Sequence, residues 1–190
     1  MIIVVDPVQA EAELGAGRLG CPHCGGQLAR WAHGRPRRVR MRDGSHRSLR
    51  PRRARCHACG RTQALLPGWC SPRRGDATEV IGAALLARAG GMGWRRIAAS
   101  LDRPAPTVRR WLRGARGGHL PWLYQRGVQY AATLDPEVLL HLRPAGSATG
   151  DALAALAAAA VAWRRRFGAH TEAWTLIGAF TGGLLPVPAD

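Results

Sequence analysis

Lysine is absent from this chain: all of its 28 basic residues are arginines, set against 12 acidic ones for a formal net charge of +16. A GC-rich coding sequence explains arginine in place of lysine, but not the surplus of base over acid. That surplus, with an isoelectric point near 11.6, calls for a polyanionic partner, and nucleic acid is the usual one. No export signal is expected either. The opening Met1-Ile2-Ile3-Val4-Val5-Asp6 has no basic segment and too short an apolar run. The longest apolar helical run, Ala152 to Trp163, falls well short of the ~20 residues needed to cross a bilayer. The expectation is a soluble cytoplasmic, nucleoid-associated protein with no membrane partner. Cysteine is scarce and odd in number, at positions 21, 24, 56, 59 and 70. An odd set without an export signal argues against a secreted disulfide framework.

Four of the five cysteines form two pairs, Cys21-Pro22-His23-Cys24-Gly25 and Cys56-His57-Ala58-Cys59-Gly60. Two thiolates two residues apart reach one ion only across a tight turn, and a glycine after the second lets the backbone turn back. The pattern predicts one structural Zn2+ held by Cys21, Cys24, Cys56 and Cys59 in a small β zinc ribbon. A thioredoxin-like redox pair would need one Cys-x-x-Cys beside a βαβ pattern. An iron–sulfur centre is a further alternative, and His23 and His57 lie close enough in sequence to substitute as ligands. Cys70 has no partner in the pattern and reads as a buried or half-exposed thiol.

The loop between the pairs is the most basic part of the chain, with eleven arginines from Arg30 to Arg55 interleaved with Trp31, Val39, Met41 and Leu49. Strand-like pieces fit at 27–33, 39–42 and 48–55. A solvated, mobile loop is one reading. On a metal-fixed hairpin such charge would repel itself unless a polyanion neutralised it, so phosphate contacts are expected from Arg37, Arg38, Arg40, Arg52 and Arg53.

From Asp76 the periodicity turns helical. A helix is predicted to start at Asp76, with Glu79 at capping-box spacing, and to stop at Gly90-Gly91. Trp94, Ile97, Ala98 and Leu101 then share one helical face, and Val108, Trp111 and Leu112 share another, with Asp102-Arg103-Pro104 between. This is the outline of a helix-turn-helix, in which the second helix enters the major groove of double-stranded DNA. Thr107, Arg109 and Arg110 are then the candidates for base edges, and Arg95, Arg96 and Arg113 for phosphates. Asp102 replaces the usual turn glycine and Arg103 stands where an apolar residue is common. Two ordinary core helices would give the same pattern. Further helices fit at 121–133, 135–142 and 151–167, with an apolar stretch at 172–180 and a proline-containing tail. The fold class expected is mostly α with a small β zinc ribbon. Its divisions are an N-terminal segment of uncertain structure (1–17), the ribbon (18–72), a three-helix helix-turn-helix (73–118) and a C-terminal helical region (119–190).

The order of motifs, CPHCGG, an arginine-rich stretch, RARCHACGRTQALLP and WRRIAASLDRPAPTVRRWLRG, resembles a family of short uncharacterised proteins of high-GC bacteria. These join a zinc ribbon to a helix-turn-helix and look like the DNA-binding front half of insertion-sequence transposases. The resemblance covers residues 18–118. It implies the four cysteines as zinc ligands and Thr107–Arg113 on the recognition helix. A transposase of the usual type needs three carboxylates on a ribonuclease-like sheet. After Arg113 only Asp135, Glu137, Asp151, Glu172 and Asp190 remain, without strands to carry them. The expectation is therefore a non-enzymatic DNA-binding regulator or mobile-element accessory factor. A partial transposase, or a zinc-ribbon module binding RNA or protein, are the alternatives. A transposase or other mobile-element protein is a candidate partner. The stripe Leu153, Leu156, Ala160 and Trp163 leaves open a homodimer as well as an internal core.

Overall fold

A computed structural model describes residues 1–168 and 170–186; the end of the expected tail, with Asp190, lies outside them. Helices dominate, alongside a small sheet and a separate hairpin. The sheet has the order β1-β6-β5-β2, built from β1 (Ile2–Val4), β2 (Leu28–His33), β5 (Arg52–Cys56) and β6 (Thr62–Pro67). β2 and β6 flank β5 antiparallel, and β1 joins β6 in parallel with Ile2 opposite Leu65. Helix α1 (Pro7–Gly15), capped by the Asp6 carboxylate, closes one face of the sheet. Ala10 and Leu14 there meet Leu28, Ala54 and Leu65. The segment 1–17, which the sequence leaves undefined, is thus a strand and a helix of the same layer.

The second hairpin, β3 (Arg37–Arg40) and β4 (His46–Leu49), is separate from that sheet. It turns through Gly44 at φ +85. The stretch expected as one strand at 48–55 is therefore two, divided at Arg50-Pro51, because proline supplies no ladder donor. Val39, wholly buried, enters the core of the helical body and not that of the cysteine-bearing sheet. The hairpin belongs to the ribbon in sequence and to the helices in packing.

The helical body consists of α2 (Thr78–Ala89), α3 (Trp94–Ser100), α4 (Ala105–Gly114), α5 (His119–Leu134), α6 (Ala148–Phe167) and α7 (Ala173–Phe180), with a 3-10 turn at Pro136–His141. α2 does not begin at Asp76. Its N-cap is Ala77, without a side-chain cap, because Asp76 pairs with Arg103 and Glu79 accepts the Arg42 N–H. The expected stop holds, with Gly90 at the C-cap and Gly91 at φ +85. Trp111, Val108, Ile97 and Ala98 are buried with Ile81 and Leu85, so α2, α3 and α4 share one core. α5 and α6 come so close that a Cβ on Gly127 would lie 2.4 Å from the Ala155 carbonyl carbon. Leu153, Leu156 and Ala160 are buried inside this packing and the half-buried Trp163 lies tilted against Phe180, so that stripe packs on the core. No helix among the described residues is long and apolar enough to cross a membrane.

Candidate metal centre and nucleic-acid interface

The two cysteine pairs sit on equivalent turns. In the first, the Gly25 N–H donates to the Cys21 carbonyl and the Cys21 N–H to the Gly26 carbonyl; in the second, Gly60 donates to Cys56 and Cys56 to Arg61. Gly25 and Gly60 lie at φ +72 and +70, the left-handed region where glycine carries no Cβ penalty. The turns bring four sulfurs within 4.8 Å of one another, with Cys21 to Cys59 at 3.8 Å and Cys24 to Cys56 at 3.5 Å. A tetrahedron with metal–sulfur bonds of about 2.3 Å separates its sulfurs by about 3.8 Å. The residues present therefore fit a metal ion.

The electrostatics agree. The N–H groups of His23 and Cys24 point at Cys21 and hold its thiol below the ordinary range. The Cys59 and Ala58 N–H groups help bring Cys56 down to about 7. At Cys24 the Gly26 N–H also lowers the pKa, but crowding by the sulfurs of Cys59 and Cys56 outweighs it and pushes the thiol up to about 12. Four thiols this close cannot all ionise without a cation among them. His23 and His57 are exposed and stand outside the four-sulfur group. Cys70 is fully buried in the helical body, where burial raises its pKa.

The predicted nucleic-acid residues fall in three places. On α4, Arg109, Arg110 and Arg113 are exposed and Thr107 is half-buried near the helix start. Arg95 and Arg96 are exposed on α3, and the rings and cations pack together, with Arg95 4.7 Å and Arg109 5.8 Å from the Trp94 ring centre. On the hairpin, Arg38 is exposed and Arg40 is paired with Asp102. These two face the start of α4 across a cavity of about 400 Å³ lined also by His46, Arg103 and Thr107. Arg74, in the linking loop, is close enough to Arg110 for that charge to add to desolvation in lowering its pKa.

Arg37 and Arg52 are drawn inward. Arg37 donates to the carbonyls of Ser71 and Arg74, and Arg52 pairs with Glu11 at 3.0 Å. Both serve the fold. Arg53 is exposed on the sheet, bonded to Thr62, and lies away from the hairpin cavity.

Two residues without an assigned role hold the arrangement. Arg103 is 7% exposed; it pairs with Asp76 and donates to the carbonyls of Leu101, Asp102 and Met41. It therefore ties the α3–α4 turn to the hairpin. Asp102 occupies the left-handed region at φ +49, which an aspartate tolerates better than most residues. Arginine at a position usually apolar is the sequence signal for the first; its partner Asp76 is not visible from spacing.

The class defined by this architecture is a mixed helical and sheet protein with a four-cysteine group able to hold a metal. Residues 21–111 match a family described as a domain of unknown function (DUF6431). That match runs from the first cysteine to Trp111 of α4, so it spans the cysteine turns, the docked hairpin and the three helices that share a core. No curated protein and no solved structure matches the chain.

Proposed function

We propose that this protein binds double-stranded DNA and performs no chemistry on it, with Zn2+ as a structural ion on Cys21, Cys24, Cys56 and Cys59. In this reading α3 and α4 are a helix-turn-helix and α4 enters the major groove. The supporting observation is the docking of the arginine hairpin beside the start of α4, which concentrates Arg38, Arg40, Arg74 and Arg110 along one side of the exposed helix. Positive charge gathered at a short helix that has buried its other face suits a phosphate-lined groove. Four thiolates and no oxygen ligand select a thiophilic ion, and a closed four-sulfur site holds structure without an open position for catalysis.

Thr107, Arg109 and Arg110 read base edges; Arg38, Arg95, Arg96 and Arg113 hold phosphates. Arg40 joins them by exchanging Asp102, whose carboxylate is 91% exposed, for a phosphate, since an exposed pair is held by only about 0–1 kcal/mol. The role is that of a regulator or of an accessory factor to a mobile-element protein.

The test is binding of zinc-loaded protein to random duplex DNA across a salt series, with selection of the bound pool. A steep salt slope and an enriched motif are expected. Arg109→Ala or Arg110→Ala should cost about 1–3 kcal/mol and relax one base position, whereas Arg38→Ala should weaken all sequences alike and reduce the slope by about 1. No duplex binding at physiological salt would overturn the reading.

A further inference from the structure

The cysteine-bearing sheet has a second face, turned away from α1. Strand alternation sends Leu28, Ala54, Cys56 and Leu65 toward α1. The opposite positions are Ala29 on β2, Arg53 and Arg55 on β5, and Thr62 and Ala64 on β6, paired across the ladder as Ala29 with Arg55, Arg55 with Thr62 and Arg53 with Ala64. These are exposed or half-buried. Trp31, two residues beyond Ala29, shares this face by the same alternation, and the register shift between Arg30 and Ala32 leaves it with no residue opposite on β5. The indole is 56% exposed, with the Arg55 guanidinium 4.8 Å from the ring centre.

Arg55 is steadied by donating its Nε–H to the Gly60 carbonyl and Arg53 by its bond to Thr62. The platform is therefore an aromatic plane between small alanines, with two fixed cations and, among the positions named, no acid. Exposed aromatics beside backbone-tracking cations are how proteins hold unpaired bases, since every base has a stacking face and every linkage a charge.

We propose that this face binds the unpaired bases of a nucleic-acid strand, with Trp31 as the stacking platform and Arg53 and Arg55 on the flanking phosphates. A duplex, whose bases are already stacked, presents no such face. The site is separate from α4 and does not depend on the duplex reading.

The experiment compares fluorescein-labelled oligo(dT), oligo(rU) and a random duplex by anisotropy, using the zinc-loaded full chain. Trp31→Ala should weaken single-strand binding by about ten-fold, leave duplex binding within about two-fold, and be largely rescued by Trp31→Phe. Arg109→Ala should do the reverse, so failure of either site is read apart from the other. The more tightly held homopolymer identifies the strand as DNA or RNA. Cross-linking of unmutated protein to a 5-bromouridine strand, mapped by mass spectrometry, covers the case of a variant that does not fold; the expected product is at Trp31. Undetectable single-strand binding, an unaffected Trp31→Ala, or cross-links confined to α4 and the hairpin would overturn the proposal.

Discussion

The cysteine-bearing sheet and the helical body are closed by different forces. The sheet's buried apolar set is Ala10, Leu14, Leu28, Ala54 and Leu65, together with Cys21 and Cys56. Three leucines, at about 1.5–3 kcal/mol each, cannot offset the ordering of strands and two loops at about 1–2 kcal/mol per residue. The helical body instead buries Trp111, Phe180, Ile81, Leu85, Leu156 and Leu176 in one continuous core. One region has a four-sulfur group that a bound ion would close, and the other closes on its own side chains. The β3–β4 hairpin lies between the cysteine pairs in sequence yet packs on the helices, so it should follow the helical body when the two are made to separate.

Removing the metal should break the comparison most completely. Structural zinc in small domains contributes about 10–16 kcal/mol at neutral pH. With a strong chelator, amides of β2, β5 and β6 should lose protection from hydrogen exchange while those of α5 and α6 keep theirs. Val39 and Arg40 should stay with the slow-exchanging group. Uniform retention of protection would mean that the sheet stands without an ion; uniform loss would mean that the two regions are one cooperative unit.

Arg103→Ala attacks the joint between hairpin and helices. It leaves the Asp76 carboxylate, 15% exposed, without its cation, and breaking a buried pair from one side costs about 3–5 kcal/mol. Urea denaturation should show a loss of that order in the helical transition, with the four-sulfur site unchanged in metal content. A loss below about 1 kcal/mol would show that Val39, with the backbone bonds of Arg40 to Gly75 and Ala77, docks the hairpin without Arg103.

That joint also marks where the sequence ceases to be legible. The cysteine turns could be read because Cys-x-x-Cys-Gly states a local geometry, and Gly25 and Gly60 adopt it. Helical spacing shows α2 to α6 within a few residues at each end; α7 reads only as an apolar stretch, and the helix expected at 135–142 is a 3-10 turn. What spacing does not carry is non-local pairing. β1 lies parallel to β6 more than sixty positions away, and both were missed. Asp76 looked like a cap because capping residues and ion-pair acids are the same residues; Arg103, buried 27 positions along, decided between them. Trp31 stands among the arginines in the sequence, but only the packing of α1 on the Leu28 side shows that Ala29 and Trp31 face the other way.

Within the helical body the comparison can be sharpened at Gly127. A Cβ there meets the backbone of Ala155 and Leu156 at 2.4 to 2.5 Å, and backbone cannot swing aside as a side chain does. Gly127→Val should cost about 1–3 kcal/mol by forcing α5 and α6 apart. The measured loss should fall on the helical transition alone, leaving chelator sensitivity of the sheet unaltered. If the sheet became more sensitive, the two regions would share stability that their separate cores do not suggest.

The smallest effect is expected at Asp102, and its sign carries the information. Asp102→Gly removes the penalty of a side chain at φ +49, which for a non-glycine residue is about 1–2 kcal/mol and less for aspartate. Against this stands the greater freedom glycine gains in the unfolded chain, about 0.4–1 kcal/mol. The lost pair with Arg40 adds little, because the Asp102 carboxylate is 91% exposed and such pairs contribute about 0–1 kcal/mol. The terms nearly cancel, so a shift within about 0.5 kcal/mol is expected by urea denaturation. DNA affinity should move further than stability. Asp102 is the acid that holds Arg40 beside the start of α4, and its loss releases a cation to the phosphate side. Tighter duplex binding with unchanged stability would assign Asp102 to restraining that cation; weaker binding would mean that Asp102 positions Arg40 for the groove.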